Sequence, residues 1–218
     1  MTTNITTITF NTSRKIGFKE TEHFRGAVIS LFPDNQLYHN HDQSNFIYSY
    51  PLIQYKLIGN RPTLVGIGEG ATCLDSCWEI GQMERMRIGK DMVDFNVESK
   101  SSSIFTPSTT QSTYIIRNWL PFNQENYHRY KNEESLPEKI NMMNRLLTGN
   151  ILSLYKGLDI WLDMEVRTEI SEIIKVSTVR YKGVEMICFD VKINSNISLP
   201  VNCGIGKGVS KGFGTIIL

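Results

Sequence analysis

The chain closes on VNCGIGKGVSKGFGTIIL, where five glycines fall within the eleven residues 204–214, two lysines sit among them and four residues follow. Glycine lets the backbone take φ > 0 and approach a neighbour closely, at the cost of conformational entropy. Few architectures carry such a segment, because most phosphate-binding glycine loops open a helix. A Walker loop needs a glycine–lysine pair followed by Ser or Thr and then a helix; here Gly208 follows Lys207 and Gly212 follows Lys211. A dinucleotide fingerprint also runs into a helix, and none is expected to fit in TIIL. Two readings remain. In one, Gly204, Gly206, Gly212 and Gly214 let main-chain N–H groups converge on a nucleic-acid phosphate while Lys207 and Lys211 add charge. In the other, the segment is a mobile hairpin turn. The residues alone leave both open.

Upstream, strands and helices alternate. ITTITF reads as a strand of β-branched residues. FKETEHFRGAVISLF carries Phe24, Val28, Leu31 and Phe32 at helical spacing, with Pro33 as a stop. The run 33–45 is polar and expected as a loop. FIYSYPLIQYKLIG and RPTLVGIGEG read as strands, ATCLDSCWEI as a short helix, and MERMRIGKDMVDFNVE, SSIFTP and STYIIRNWLPF as strand segments. SLPEKINMMNRLLTGNILSLYKGLDI is the longest helical pattern, capped by Ser135 with Pro137 in its first turn. Two β-rich stretches joined at YKGV make a hairpin, and GFGTIIL closes as a strand. This order predicts an α+β fold of antiparallel sheets, with a split strand–helix–strand unit used twice. The boundary falls between an N-terminal domain, 1–125, and a C-terminal domain, 126–218.

The net charge is +1, which weakens the case for diffuse nucleic-acid affinity. Charge is unevenly placed, however. After Asp190 no acidic residue follows, while Lys192, Lys207 and Lys211 remain, and Arg14, Lys15 and Lys19 cluster near the start. The longest apolar run, GAVISLF, falls far short of the ~20 residues that span a bilayer. With no secretion signal visible, a cytoplasmic protein without membrane contact is expected. Cys73, Cys77, Cys188 and Cys203 lack zinc-like spacing and read as free thiols. Asp159, Asp163 and Glu165 read as surface charge, so neither a metal nor another cofactor is expected. Trp78, Trp119 and Trp161 lie in apolar contexts and read as core.

The terminal pattern of Gly204-x-Gly206, five residues, then Gly212-Phe213-Gly214 and an apolar end resembles the glycine-rich signature of the CRISPR-associated repeat-processing endoribonucleases of the RAMP superfamily. FRGAVISLF, a histidine-bearing loop and YSYPLIQYKLIGNRPTLVGIGEGA are similar to the branch whose histidine and tyrosine precede a YPLIQYK strand. The resemblance is strong over 24–72 and 200–218. It implies tandem ferredoxin-like (RRM-like) domains, antiviral defence and metal-independent cutting of CRISPR repeat RNA.

Such cutting uses the RNA's own 2′-hydroxyl, so it needs a base, an acid and cations near the phosphate. Of the four histidines, His39 and His41 stand two apart in YHNHD, on one side of an extended loop. Tyr48 and Tyr50 follow, with Lys56 on the same parity. The resemblance points to a histidine of this loop with Tyr48, taken as His41 with His39 in support; Lys56, on the same parity, and Arg14 and Lys15, after the first strand, are the candidates for the RNA backbone. Histidine suits the task because its pKa lies near neutrality. His23 reads as packing and His128 as a solvated face. The expected partner is CRISPR repeat RNA, with other CRISPR effector subunits or a second copy as further candidates. The alternative is a non-catalytic RNA-binding subunit of an effector complex.

Overall fold

The computed structural model describes residues 1–39 and 50–218. The chain forms two compact units: Thr2–Thr106 with Ser210–Gly212, and Pro107–Val209 with Phe213–Leu218.

The first unit opens with β1 (Thr3–Thr12) and α1 (Thr21–Leu31), followed by the short α2 (Gln36–His39). Then come β2 (Ile53–Ile58), β3 (Arg61–Ile67), α3 (Glu69–Cys77), β4 (Met83–Ile88) and β5 (Asp91–Phe105). The sheet is antiparallel in the order β2-β3-β1-β5-β4. With β4 set aside as an added edge strand, the four remaining strands stand in the order second, third, first, fourth, which is the ferredoxin-like order. Alternation places Ile8, Phe10, Ile53, Tyr55 and Phe95 on the face that buries Phe24 and Val28 of α1 and Leu74 of α3. Phe24 stacks on Phe95 with centroids 5.5 Å apart and meets Phe10 edge-on. SSIFTP is not a separate strand: β5 continues to Phe105. It pairs with β1 from Thr3↔Phe105 to Thr12↔Phe95, and a bulge at Thr9/Phe10 absorbs the one extra residue.

The second unit contains β6 (Thr109–Trp119), α4 (Gln124–Asn132), α5 (Leu136–Gly157), β7 (Thr168–Tyr181), β8 (Val184–Ile197) and β9 (Thr215–Ile217). Its sheet order, β7-β8-β6-β9, is again second, third, first, fourth. Ser135 caps α5 by accepting from the Glu138 amide, and Met143, Leu147, Ile151 and Leu154 are buried at helical spacing. α4 is capped by Asn123 and has no fully buried residue, so no apolar period announces it. β6, which precedes the boundary expected at 125/126, belongs to this second unit.

Trp161 corrects one expectation. It is 81% exposed, while Leu158 and Ile160 beside it are buried. The chain bends at Asp159, whose φ is 56°, and the alternation that sends Ile160 inward turns Trp161 out. Trp78 and Trp119 are core. The four cysteines are free, three of them buried, and burial pushes the Cys188 thiol up to about 12. Among the described residues no helix is long and apolar enough to cross a membrane.

The units differ in how the last core strand is reached. In the first, α3 lies between β3 and β5. In the second, residues 198–214 lie between β8 and β9, with only the short turn Val209–Lys211. The glycine-rich segment therefore stands where the repeated plan has a helix. It is packed and bonded: Ile205 N donates to Gly214 O, Gly214 N to Asn118 O, Lys207 N to Leu120 O and Phe213 N to Gly208 O, at 2.9–3.3 Å. Gly214 has φ +64°, and a Cβ there would sit 1.8 Å from Ile205 O. Only glycine closes the arch at that point.

Candidate functional site

α2 is a four-residue helix inside the run expected as a loop. Tyr38 anchors it. Its ring is buried and stacks on Phe32 at 4.5 Å. Its hydroxyl accepts from Trp78 Nε1, and its carbonyl accepts from the Tyr55 hydroxyl, both at 3.0 Å. Burial pushes the Tyr38 and Tyr55 phenols up, which keeps both neutral. The next residue, His39, ends α2. Arg25 of α1 donates from Nη2 to the His39 carbonyl at 2.7 Å, and its guanidinium lies 5.8 Å from the centre of the Tyr55 ring. The His39 Nε2 is buried and meets no hydrogen-bond partner among the described residues. Such a nitrogen is costly to leave unpaired. His41 and Tyr48 lie outside the described residues.

The middle of the glycine-rich segment reaches the same helix. Ser210–Gly212 clusters with the first unit. Lys211 Nζ donates to Glu22 Oε1 of α1 as an ion pair. That hydrogen bond holds the Glu22 carboxyl below its usual range, against a smaller opposing effect of burial. Gly212 has φ +93° and is buried; a Cβ there would meet Thr21, Phe18 and the Tyr55 carbonyl at 3.1–3.3 Å. Glu22 and Arg25 are three apart and so neighbours on one helix face, about 5–6 Å between Cβ atoms. One turn of α1 thus holds the Lys211 turn and the end of the histidine-bearing helix. Tyr55 touches both groups.

The other expected site residues are placed unevenly. Arg14 is engaged by Glu20 at 2.8 Å and Asp91 at 3.0 Å. Lys15 is exposed. Lys56 is fully buried on β2, by alternation on the face away from the helices, and has protein partners. Lys207 is exposed and Gly206 is half-buried at φ 82°. Gly204 is buried and bridges Thr215, and the Gly214 amide goes to Asn118; both serve the arch itself. Sequence reasoning missed Arg25, Tyr38 and Tyr55 as the frame around His39. The one available signal was that Arg25 follows Glu22 by a helical turn in the first helix.

Comparison with known proteins follows the two halves. A model of the Cas6b N-terminal domain matches residues 1–103, and a model of the Cas6b C-terminal domain matches residues 106–218. An uncharacterized protein of Methanocaldococcus jannaschii is 35% identical over 103 residues, which are 47% of this chain and 69% of that protein. The chain is similar to a crystal structure of Cas6b at 26% identity and a TM-score of 0.85, covering 100% of this chain and 99% of that one. It is also similar to a CRISPR RNA processing endoribonuclease Cas6b at 25% identity and a TM-score of 0.74, with the same coverage.

Proposed function

The chain belongs to the Cas6b family, and from that premise we propose that it is an endoribonuclease that cuts CRISPR repeat RNA within each repeat, without a metal ion. The 2′-hydroxyl at the cut gives its proton to a base. The 2′-oxygen bonds to phosphorus, the bond from phosphorus to the 5′-oxygen breaks, and an acid protonates the leaving oxygen. The products carry a 2′,3′-cyclic phosphate and a 5′-hydroxyl. His41 and Tyr48 carry the proton transfers, with His39 in support, each partner contributing about 10²–10⁴ in rate. Lys207 and Lys15 meet the backbone phosphates. Arg14, Lys56 and Lys211, already engaged with protein groups, contribute through the site's frame, as do the glycines of the arch.

The observation that carries this reading is the double hold of α1: Glu22 on Lys211 and Arg25 on the His39 carbonyl. It brings part of the glycine-rich segment and the start of the histidine segment to one face of one helix. The buried His39 Nε2 adds support, since a polar atom of this kind calls for a partner.

The test is incubation of the protein with repeat RNA in EDTA, beside the same RNA carrying a single 2′-deoxy substitution at the cut. Cleavage of the first and not the second is expected. Cleavage abolished by chelation, or persisting on the deoxy substrate, contradicts the mechanism. A protein that binds both and cuts neither would instead be an RNA-holding subunit.

A further inference from the structure

Trp161 is 81% exposed, and the backbone that carries it is pinned on both sides. α5 closes with Ile160 N donating to Tyr155 O at 3.0 Å and Asp159 N to Lys156 O at 3.2 Å, the two bonds of a helix end that turns on a left-handed residue. That residue is Asp159 rather than glycine, so the turn is kept at a steric cost. Downstream, the Asn196 side chain brackets the segment. Its Nδ2 donates to the Glu165 carbonyl at 2.9 Å, and its Oδ1 accepts from Arg167 N at 2.8 Å. Scattered exposed Leu or Met side chains are ordinary. An indole held out on a fixed connector offers a large apolar face with little left to order on docking.

The charge around this indole selects its occupant. Glu165 is paired with Arg167 at 2.7 Å, whereas Asp159 and Asp163 are exposed and have no ion pair among the described residues. Trp161 therefore stands between two carboxylates, two residues to either side. Phosphate is repelled there. A surface that joins apolar atoms to unpaired cations is attracted.

The first unit has such a surface. On β4 and β5 the opposed pairs Met83↔Asn96, Arg85↔Asp94 and Arg87↔Met92 lie on the sheet face away from the helices, because Met86, Ile88, Val93 and Phe95 take the other face into the core. Met83 and Met92 are exposed. Arg87 is exposed with no ion pair among the described residues, and Arg85 keeps only a 3.5 Å contact with Asp94. β4 is the outer strand of its sheet. Arg87 and Met92 stand directly opposite, with Cβ atoms about 4.5–5.5 Å apart. A thioether beside a guanidinium makes a floor for an indole, since both sulfur and cation are attracted to an aromatic ring.

We infer that Trp161 of one copy docks on the Arg87–Met92 floor of a second copy of this chain, with Asp159 and Asp163 pairing with Arg87 and Arg85. The contact needs no RNA and stands apart from the cleavage reading. An indole buries about 150–250 Å², against about 1,000 Å² for a stable interface, so the association is weak and reversible.

Sedimentation velocity of the RNA-free protein from about 10 to about 500 µM covers the range in which a contact of this size acts. Wild type should self-associate, and W161A should do so at least about tenfold more weakly. Thermal unfolding should show both equally folded, since the indole lies in solvent. A charge exchange gives the sharper arm. D163R sets a cation against Arg87, and R87D sets a carboxylate against Asp163, so each variant alone should lose association. Mixed in equal amounts they should associate again, because every contact between unlike copies joins opposite charges. A wild type that stays monomeric across the range, a W161A variant that associates as wild type does, or a mixture no more associated than its components would overturn the docking. So would a loss of RNA affinity in W161A with association unchanged, which would mark Trp161 as a stacking platform for a base.

Discussion

The two units share a strand order and part ways at one segment. Between its third and fourth core strands the first unit has α3, whose amides bond along the helix. The second has residues 198–214, whose amides reach the carbonyls of Asn118, Leu120, Gly208 and Gly214. A helix is self-sufficient and presents side chains. An arch bonded to its neighbours presents main chain and can place one residue, Lys211, where no helix would carry it. The segment that gave up regular structure is the one whose Lys211 bonds Glu22 of α1, the helix that also holds the end of α2 through Arg25.

That contrast can be broken most severely at Gly214. G214A forces a side chain into a φ of +64° and against the Ile205 carbonyl. It should cost at least about 3 kcal/mol in chemical denaturation. G149A, inside α5 with open space around it, should gain about 0.5–1 kcal/mol. If both are neutral, the arch is not the closed structure described.

The next largest effect tests the hold on the histidine segment. R25Q removes the charged donor to the His39 carbonyl and the cation facing Tyr55. It should destabilise by about 1.5–3 kcal/mol and slow single-turnover cleavage by more than the measured RNA affinity explains. R25K should recover part of both. Cleavage that tracks stability alone would reduce Arg25 to a packing role.

A smaller effect concerns the Lys211 clasp. K211A should cost only about 0.5 kcal/mol, because Glu22 is largely exposed, yet amide exchange at Ser210–Gly212 should accelerate. The Glu22 carboxyl is lowered in the folded chain. Its contribution is therefore complete above the ordinary carboxylate range and is lost as pH falls through the lower folded value. The wild-type exchange rates there should rise in acid toward those of K211A; pH-independent protection would remove Lys211–Glu22 as its source. Least in consequence, native labelling should reach Cys77 and spare Cys73, Cys188 and Cys203 until unfolding.

Much of the fold was legible because it rests on local periods. Ile140, Met143, Leu147, Ile151 and Leu154 announce α5, β-branched runs announce β7 and β8, and the split plan used twice follows from element order. What was hidden depends on tertiary bonds. α2 exists because Tyr38 meets Trp78 and Tyr55, none of them close in sequence. α4 has no buried face to give it a period. Trp161 turns outward because of a bend at Asp159 that composition does not signal. In the candidate site, the glycine pattern and His39 were visible, but their common support on α1 was not. An Arg25-to-carbonyl bond leaves no mark in residue order.

The central claim is that His41, two residues beyond the His39 carbonyl that Arg25 of α1 bonds, performs a proton transfer on RNA. Its most direct test is single-turnover cleavage of repeat RNA in EDTA by wild type and H41A, with RNA affinity measured on the same preparations. Expected is a wild type that cuts and a variant slowed by about 10²–10⁴ while its affinity stays close to wild type. A variant that cuts at the wild-type rate would contradict the claim.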